Sequence, residues 1–151
     1  MPNLVLTTWL PATPAACFDL SLSVDAHTGS MGRHRERAVA GVTSGVMGLG
    51  DTVTWRATHF GLPFTMTSQI TEHEAPGRFV DEQVSGPFRR WWHEHTFVAD
   101  GGGTLMTDTV DLVAPLGPLG RIAEAVLLTR YMTRLLEQRN AWLRESLDTS
   151  A

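Results

Sequence analysis

The order in which segment types follow one another constrains this chain's fold more than any single residue. A short run rich in β-formers, Leu4-Val5-Leu6-Thr7-Thr8-Trp9-Leu10, reads as a strand and is stopped by Pro11. Thr13-Pro14 then offers a hydroxyl N-cap and a proline for the first helical position. The helix that follows turns Ala16, Cys17, Phe18 and Leu20 toward a core. A second, weaker helical stretch covers residues 24–31 and ends at Gly32. From about residue 36 to 115 period-two alternation takes over, interrupted by turn residues at 45–51, 61–63, 75–77, 86–87 and 100–103. One long amphipathic helix, about 118–147, closes the chain after Pro115-Leu116-Gly117-Pro118. Strand, two helices, six strands and a helix predict an α+β fold: a curved seven-stranded antiparallel sheet (β-α-α-β6-α) wrapped around the C-terminal helix. Such a wrap encloses a cavity.

Length and composition fit that picture. A chain of 151 residues is expected to form one domain, 1–151, burying roughly 70% of its unfolded surface. The formal net charge of −4 argues against a nucleic-acid partner, which a basic patch would announce. The single cysteine, Cys17, excludes an intramolecular disulfide and a multi-cysteine zinc site, and reads as a small buried hydrophobe. No basic region precedes an apolar core at the N-terminus, and no apolar stretch approaches the ~20 residues of a membrane span. The expectation is a cytoplasmic protein that does not insert into membranes. The glycines at 101–103 and the run Gly48-Leu49-Gly50 lack the strand–helix setting of a phosphate loop and read as turns.

The last helix carries a second clue. Ile122, Ala123, Val126, Tyr131, Leu135, Trp142 and Leu143 recur at helical spacing, and Leu127, Leu128 and Met132 widen the apolar surface beyond a stripe of about 100°. Arg130, Arg134, Glu137 and Arg144 occupy the remaining face. A segment that is apolar over most of its circumference needs cover on both sides. The sheet supplies one; a bound ligand, the short helices or a second subunit in a homodimer must supply the other. Trp92, on the opposite side of its strand from Trp91 and near Arg89 and Arg90, marks an outer surface that such a subunit would use.

Turn lengths set the pairing of the strands and hence what faces inward. The loop 100–103 places Phe97 opposite Met106, His95 opposite Asp108 and His93 opposite Val110. A two-residue turn at Gly86-Pro87 places Glu82 opposite Trp91 and Val80 opposite His93; one at Leu62-Pro63 places Trp55 opposite Ile70 and His59 opposite Met66. One face then carries Trp55, Ile70, Val80, Val84, Trp91, Phe97, Met106 and Val110, with His59, Glu82, His93, His95 and Asp108 among them. The turn at 75–77 is the weak step, because one extra residue there exchanges Glu82 for Asp81 and Gln83. Apolar walls with a few convergent polar groups are what a small-molecule pocket requires. A His95–Asp108 pair serves equally as a satisfied buried pair or as a general-base dyad. His93-Glu94-His95 puts two imidazoles on one side of a strand, and His59 or Glu82 would complete a metal set, but the His-Glu-x-x-His spacing of metalloproteases is absent and no metal or cofactor is expected.

Several motifs in this order resemble a known family. Thr71-Glu72-His73-Glu74-Ala75-Pro76-Gly77-Arg78-Phe79 is followed by Gly86-Pro87-Phe88-Arg89-Arg90-Trp91-Trp92-His93-Glu94-His95-Thr96-Phe97. Gly102-Gly103-Thr104-Leu105-Met106-Thr107-Asp108 and Pro115-Leu116-Gly117-Pro118-Leu119-Gly120 then lead into the last helix. In these stretches, and over nearly its whole length, the chain resembles the START-like, Bet v 1-like (SRPBCC) superfamily, in its bacterial polyketide cyclase/dehydrase-like branch. The resemblance implies a helix-grip fold with ligand held between sheet and last helix. Relatives bind lipids, sterols, polyketides, quinones or plant hormones, and some are cyclases or hydrolases, with no single catalytic motif to carry over.

The functional expectation is therefore a binding protein, more than an enzyme, for an apolar or aromatic small molecule such as a lipid, quinone or polyketide-like compound. Trp55, Ile70, Trp91, Phe97, Met106, Leu128 and Met132 are its walls; His59, Glu82, His93, His95 and Asp108 orient polar ends. The alternative is a cyclase, dehydratase or hydrolase using His95 and Asp108. A third reading is a ligand-free interaction or regulatory domain.

Overall fold

The structure is a computed structural model that describes residues 4–114 and 121–149, with side chains from 126 to 148 in the last helix. The order is β1 (Leu4–Leu10), α1 (Pro14–Ser21), α2 (Val24–Ser30), a single 3-10 turn (Gly32–His34), β2 (Arg37–Gly41), β3 (Thr52–His59), β4 (Leu62–Glu74), β5 (Arg78–Ser85), β6 (Arg90–Asp100), β7 (Gly103–Val113) and α3 (Arg121–Thr149). The seven strands form one sheet in the order β1-β7-β6-β5-β4-β3-β2, every neighbouring pair antiparallel. The expected α+β arrangement of strand, two helices, six strands and helix is present. Strands β2 to β7 meander by hairpins. The short helices carry the chain from β1, at one edge of the sheet, to β2 at the other.

Local chemistry explains the elements. The Thr13 hydroxyl accepts from the Ala16 amide at 3.3 Å and Pro14 opens α1, as the sequence suggests. Ser23 caps α2 in the same way, accepting from Ala26 N at 3.2 Å. The β6–β7 hairpin turns on Gly101-Gly102, both left-handed at φ 55° and 84°, the backbone a two-residue hairpin needs. Its register matches the one read from the sequence: Phe97 pairs with Met106, His95 with Asp108 and His93 with Val110.

Two other registers differ from expectation. The β3–β4 turn lies at Phe60-Gly61, with φ 54° and 73°, not at Leu62-Pro63; His59 therefore pairs with Leu62 and Trp55 with Met66. Asp81 pairs with His93 and Glu82 with Trp92, because the connection from Ser85 to Arg90 is longer than a two-residue turn. Strand β4 accommodates this with a bulge at Thr71: Ile70 pairs with Asp81, whereas Glu72 pairs with Val80. Past the bulge His73, not Glu72, faces inward, its ring 5.2 Å from that of Phe18. Glu82 and Val80 accordingly belong to the outer face, and Val84 is exposed. Val80 is nonetheless buried, under the ion cluster in which Arg78 binds Glu72, Glu74 and Glu94.

Two apolar clusters fill the concave side. One joins Leu10, Cys17, Phe18, Leu22, Val24, Phe79, Phe97, Met106 and Leu143; the other joins Leu4, Trp91, Val110, Leu112 and Leu136. The last helix buries Leu135, Leu136 and Leu143 as its spacing requires, with two polar residues, Arg139 and Asn140, in the same stripe. Val126, expected on the core side, is 49% exposed. The start of that helix, from Pro118, lies outside the described residues, as do the side chains of Ile122 and Ala123. No helix among the described residues is long and apolar enough to cross a membrane.

Candidate functional site

Between the concave face and α3 lies a cavity of about 950 Å3. Its walls are mostly apolar: Met47, Val53, Trp55, Phe64, Met66, Ile70, Phe79, Phe88, Trp91, Leu128 and Met132 all contribute. Phe60, 73% exposed, and Leu127, 67% exposed, also line it, so the cavity opens to solvent where the β3–β4 turn meets the beginning of α3. Near this opening His59 Nδ1 and the Tyr131 hydroxyl are hydrogen-bonded at 2.6 Å, Phe60 lies against the Tyr131 ring at 4.5 Å, and His34 stacks on His59 at 5.0 Å. His27 pairs with Glu36 and leans on Trp55. Burial, then the charge of His34, pushes the His59 imidazole below its ordinary value.

The far wall is polar and layered. His93 and His95, two apart on β6, point to the same side and stack at 3.7 Å. Asp81 of β5 faces them from the cavity side, and Asp108 of β7 from the buried side. His95 Nε2 is 2.7 Å from Asp81 Oδ2, and His93 Nε2 is 2.8 Å from Asp108 Oδ1. The Trp91 indole N–H donates to Asp81 Oδ1 at 3.2 Å. Phe79 stacks on His95 at 4.1 Å. Behind them, Arg139 Nη2 donates to Asp108 Oδ1 at 2.7 Å and Asn140 Nδ2 donates to Asp108 Oδ2 at 2.8 Å. Asn140 also donates to the Thr8 hydroxyl at 3.0 Å and accepts from Arg139 Nε at 3.0 Å.

Opposite charges and their hydrogen-bond partners meet in this wall. Burial opposes ionisation of Asp108, but the Arg139 guanidinium and the two neighbouring imidazoles hold its carboxyl well below the usual range. Burial likewise opposes Asp81, yet His93 and the His95 hydrogen bond bring it to about 2. Burial and the charge of His95 lower the His93 imidazole. His95, despite burial, is raised by the Asp108 and Asp81 carboxylates on either side of it. Two carboxylates thus face one guanidinium and two imidazoles, of which His95 is drawn toward its charged form and His93 toward its neutral one. Because ionised Asp108 only accepts, neutral His93 carries its proton on Nε2 and leaves Nδ1 as an acceptor, 3.7 Å from Asp81 Oδ2. His95 Nδ1 lies 3.2 Å from Asp108 Oδ1 but off a hydrogen-bond axis, a buried nitrogen without a bond partner.

Of the residues singled out from the sequence, Trp55, His59, Ile70, Trp91, His93, His95, Leu128 and Met132 line the cavity. Phe97 and Met106 are packed in the core beside it, and Asp108 is fully buried behind the imidazoles. Glu82 is on the outer face; Asp81 takes its place, 19% exposed and lining the cavity. Arg139 and Asn140 escape a sequence reading that assigns polar helix residues to solvent. Their signal is position: with Met132, Leu135, Leu136 and Leu143 they continue one i, i+3, i+4 stripe.

The sequence matches no protein-family model and no curated protein. Solved structures do match it over almost their whole length. Protein TTHA0849 of Thermus thermophilus superposes with a TM-score of 0.79 at 17% identity, covering 98% of each chain. Zhui aromatase/cyclase of Streptomyces sp. R1128 gives 0.75 at 14% identity, over 96% of this chain and 92% of its own. Major latex-like protein 151 of Panax ginseng gives 0.67 at 12%, over 95% of each. The chain has the helix-grip fold. Bacterial cyclase and plant latex-like protein superpose on it over nearly the whole of each chain, so the START-like, Bet v 1-like resemblance seen in the sequence holds at the level of the fold. Within the helix-grip frame the cavity is the space between sheet and α3, and the layered His–Asp cluster forms part of its wall.

Proposed function

We propose that the protein binds an apolar or aromatic small molecule, of lipid, quinone or polyketide-like character, in the cavity between sheet and last helix. The observation that carries this reading is a space of about 950 Å3 with mostly apolar walls, open beside Phe60 and Leu127 and holding a cluster of histidine and aspartate side chains in its wall. The guest's apolar body lies along Trp55, Met66, Ile70, Leu128 and Met132. Its polar end meets Asp81, His93 Nδ1 and His95. An acceptor pair at Asp81 and His93 favours a guest that presents a hydrogen-bond donor there, such as a phenol or enol. Native mass spectrometry of the purified protein is expected to show a co-purifying hydrophobe. An apolar fluorescent probe, 1-anilinonaphthalene-8-sulfonate, is expected to bind at one site and be displaced by it. A protein that takes up neither overturns the reading.

An enzyme of cyclase, dehydratase or hydrolase type is the second reading, favoured by the two stacked imidazoles between carboxylates in the cavity wall. His95 and Asp108 share one face of the sheet, as a dyad requires. The group within reach of a guest, however, is His95 Nε2 with Asp81; Asp108 acts through the imidazoles, with Arg139 holding its charge. Among the helix-grip neighbours, Zhui carries the name aromatase/cyclase. Turnover of an aromatic polyketide-like substrate that is lost in His95→Ala and retained in Trp92→Ala would favour catalysis.

A further inference from the structure

We infer that Asp81, His93 and His95 form a binding site for one divalent first-row transition-metal ion, with open coordination positions facing the cavity. The inference rests on donor geometry and is independent of whether an apolar guest is bound. One ligand atom from each of Asp81, His93 and His95 lies within 4.8 Å of the other two, His95 Nε2 and His93 Nδ1 being 2.7 and 3.7 Å from Asp81 Oδ2, and all three residues line the cavity. Two imidazoles and one carboxylate on one side suit zinc, iron(II) or cobalt(II), with the remaining positions left to water or to a donor atom of a guest.

The layer behind the donors is what makes the cluster more than three residues in proximity. A metal-bound imidazole needs its other nitrogen held, commonly by a carboxylate. Asp108 does this for His93, whose Nε2 is hydrogen-bonded to Oδ1 at 2.8 Å, and it lies beside His95, whose Nδ1 is 3.2 Å from the same oxygen but off a hydrogen-bond axis. Arg139 and Asn140 in turn fix Asp108 from α3, so the supporting carboxylate cannot swing away. The cluster as it stands is incompletely matched: Asp81 Oδ2 is hydrogen-bonded to His95 Nε2 at 2.7 Å and lies 3.7 Å from His93 Nδ1, while His95 Nδ1 is buried without a bond. The sequence reading set a metal aside on the missing His-Glu-x-x-His spacing, and its third-ligand candidates were His59 and Glu82, the latter on the outer face, and not Asp81.

The test is titration of the metal-free full chain with Co2+, read by isothermal calorimetry and by visible absorption. One Co2+ per chain is expected, with the intense absorption of a low-coordinate histidine–carboxylate site and full displacement by Zn2+. Asp81→Asn and His93→Gln, each checked for folding by circular dichroism, are expected to lose roughly 100-fold or more in affinity, and Asp108→Asn about 10–100-fold. Glu82→Gln, one residue along on the opposite face, leaves the affinity unchanged. Absence of saturable one-to-one binding in the wild-type chain overturns the proposal whatever the variants do. So does binding that survives Asp81→Asn and His93→Gln. Probe uptake measured on the same samples separates the two readings: cobalt without probe sinks only the apolar guest, and probe without cobalt sinks only the metal.

Discussion

Arg139 concentrates much of the site's energetics in one side chain. It is the only guanidinium among the described contacts of Asp108, and both partners are buried. Arg139→Met keeps the apolar stem but leaves the Asp108 charge unbalanced, so urea denaturation is expected to show a loss of about 3–5 kcal/mol. Adding Asp108→Asn removes the stranded charge, and the double variant is expected to be more stable than Arg139→Met alone, the mark of coupling in a mutant cycle. At the opening, His59 gives a pH signature. Its folded-state value lies below the ordinary 6.5, so below that pH the unfolded chain binds the proton more readily than the folded one. This residue's contribution to stability therefore declines as pH falls past 6.5 and levels off below the folded value. NMR titration of the His59 ring is expected to give a midpoint under 6.5, and the stability difference between wild type and His59→Asn is expected to shrink toward acid. A midpoint at or above 6.5 would contradict the burial of this ring against His34 and Tyr131.

The elements show what a sequence can disclose and where it stops. The first helix announces itself by Thr13-Pro14, and the cap is present; Thr13→Ala is expected to cost about 1 kcal/mol, measurable as a shift in the urea midpoint with unchanged slope. The β6–β7 pairing was legible because its turn is short and glycine-rich, which leaves one register. The β4–β5–β6 pairing was not. The alternation of Thr65, Thr67 and Gln69 runs smoothly into Thr71, and nothing in residue type marks Thr71 as the bulged position. A bulge shifts the pleat by one residue and so decides whether Asp81 or Glu82 faces inward, two acidic residues that composition cannot tell apart. Phe60-Gly61 hid for a related reason: Pro63 looks like a turn residue, yet here it sits within β4 while a phenylalanine adopts the left-handed conformation. The core stripe of α3 was readable in Leu135 and Leu143. Arg139 and Asn140, in the same stripe, become core residues only because Asp108 waits on the facing strand.

For the whole molecule the decisive question is whether the space between sheet and helix exists to be filled. Close-packed interiors tolerate few voids larger than a water molecule, so a cavity of about 950 Å3 is a sacrifice of packing that a bound guest can repay. Two consequences follow from that imbalance. A guest that binds only the folded chain raises stability by about 2.7 kcal/mol at a hundred times its dissociation constant, so thermal melting should rise steadily with added probe. Filling the space covalently should do the opposite to binding while sparing the fold. Ala57 is buried on the inner face of β3 and lines the cavity. Ala57→Leu adds apolar volume to a space that can receive it, so it is expected to keep the melting temperature at or above the wild-type value while weakening 1-anilinonaphthalene-8-sulfonate binding at least tenfold. Were the site instead collapsed in solution, the same substitution would overpack the interior, costing about 1–3 kcal/mol. It would then lower the melting temperature without a probe site to lose. The pair of measurements, melting and probe affinity on one variant, thus decides whether the helix-grip frame here is a container or merely a scaffold.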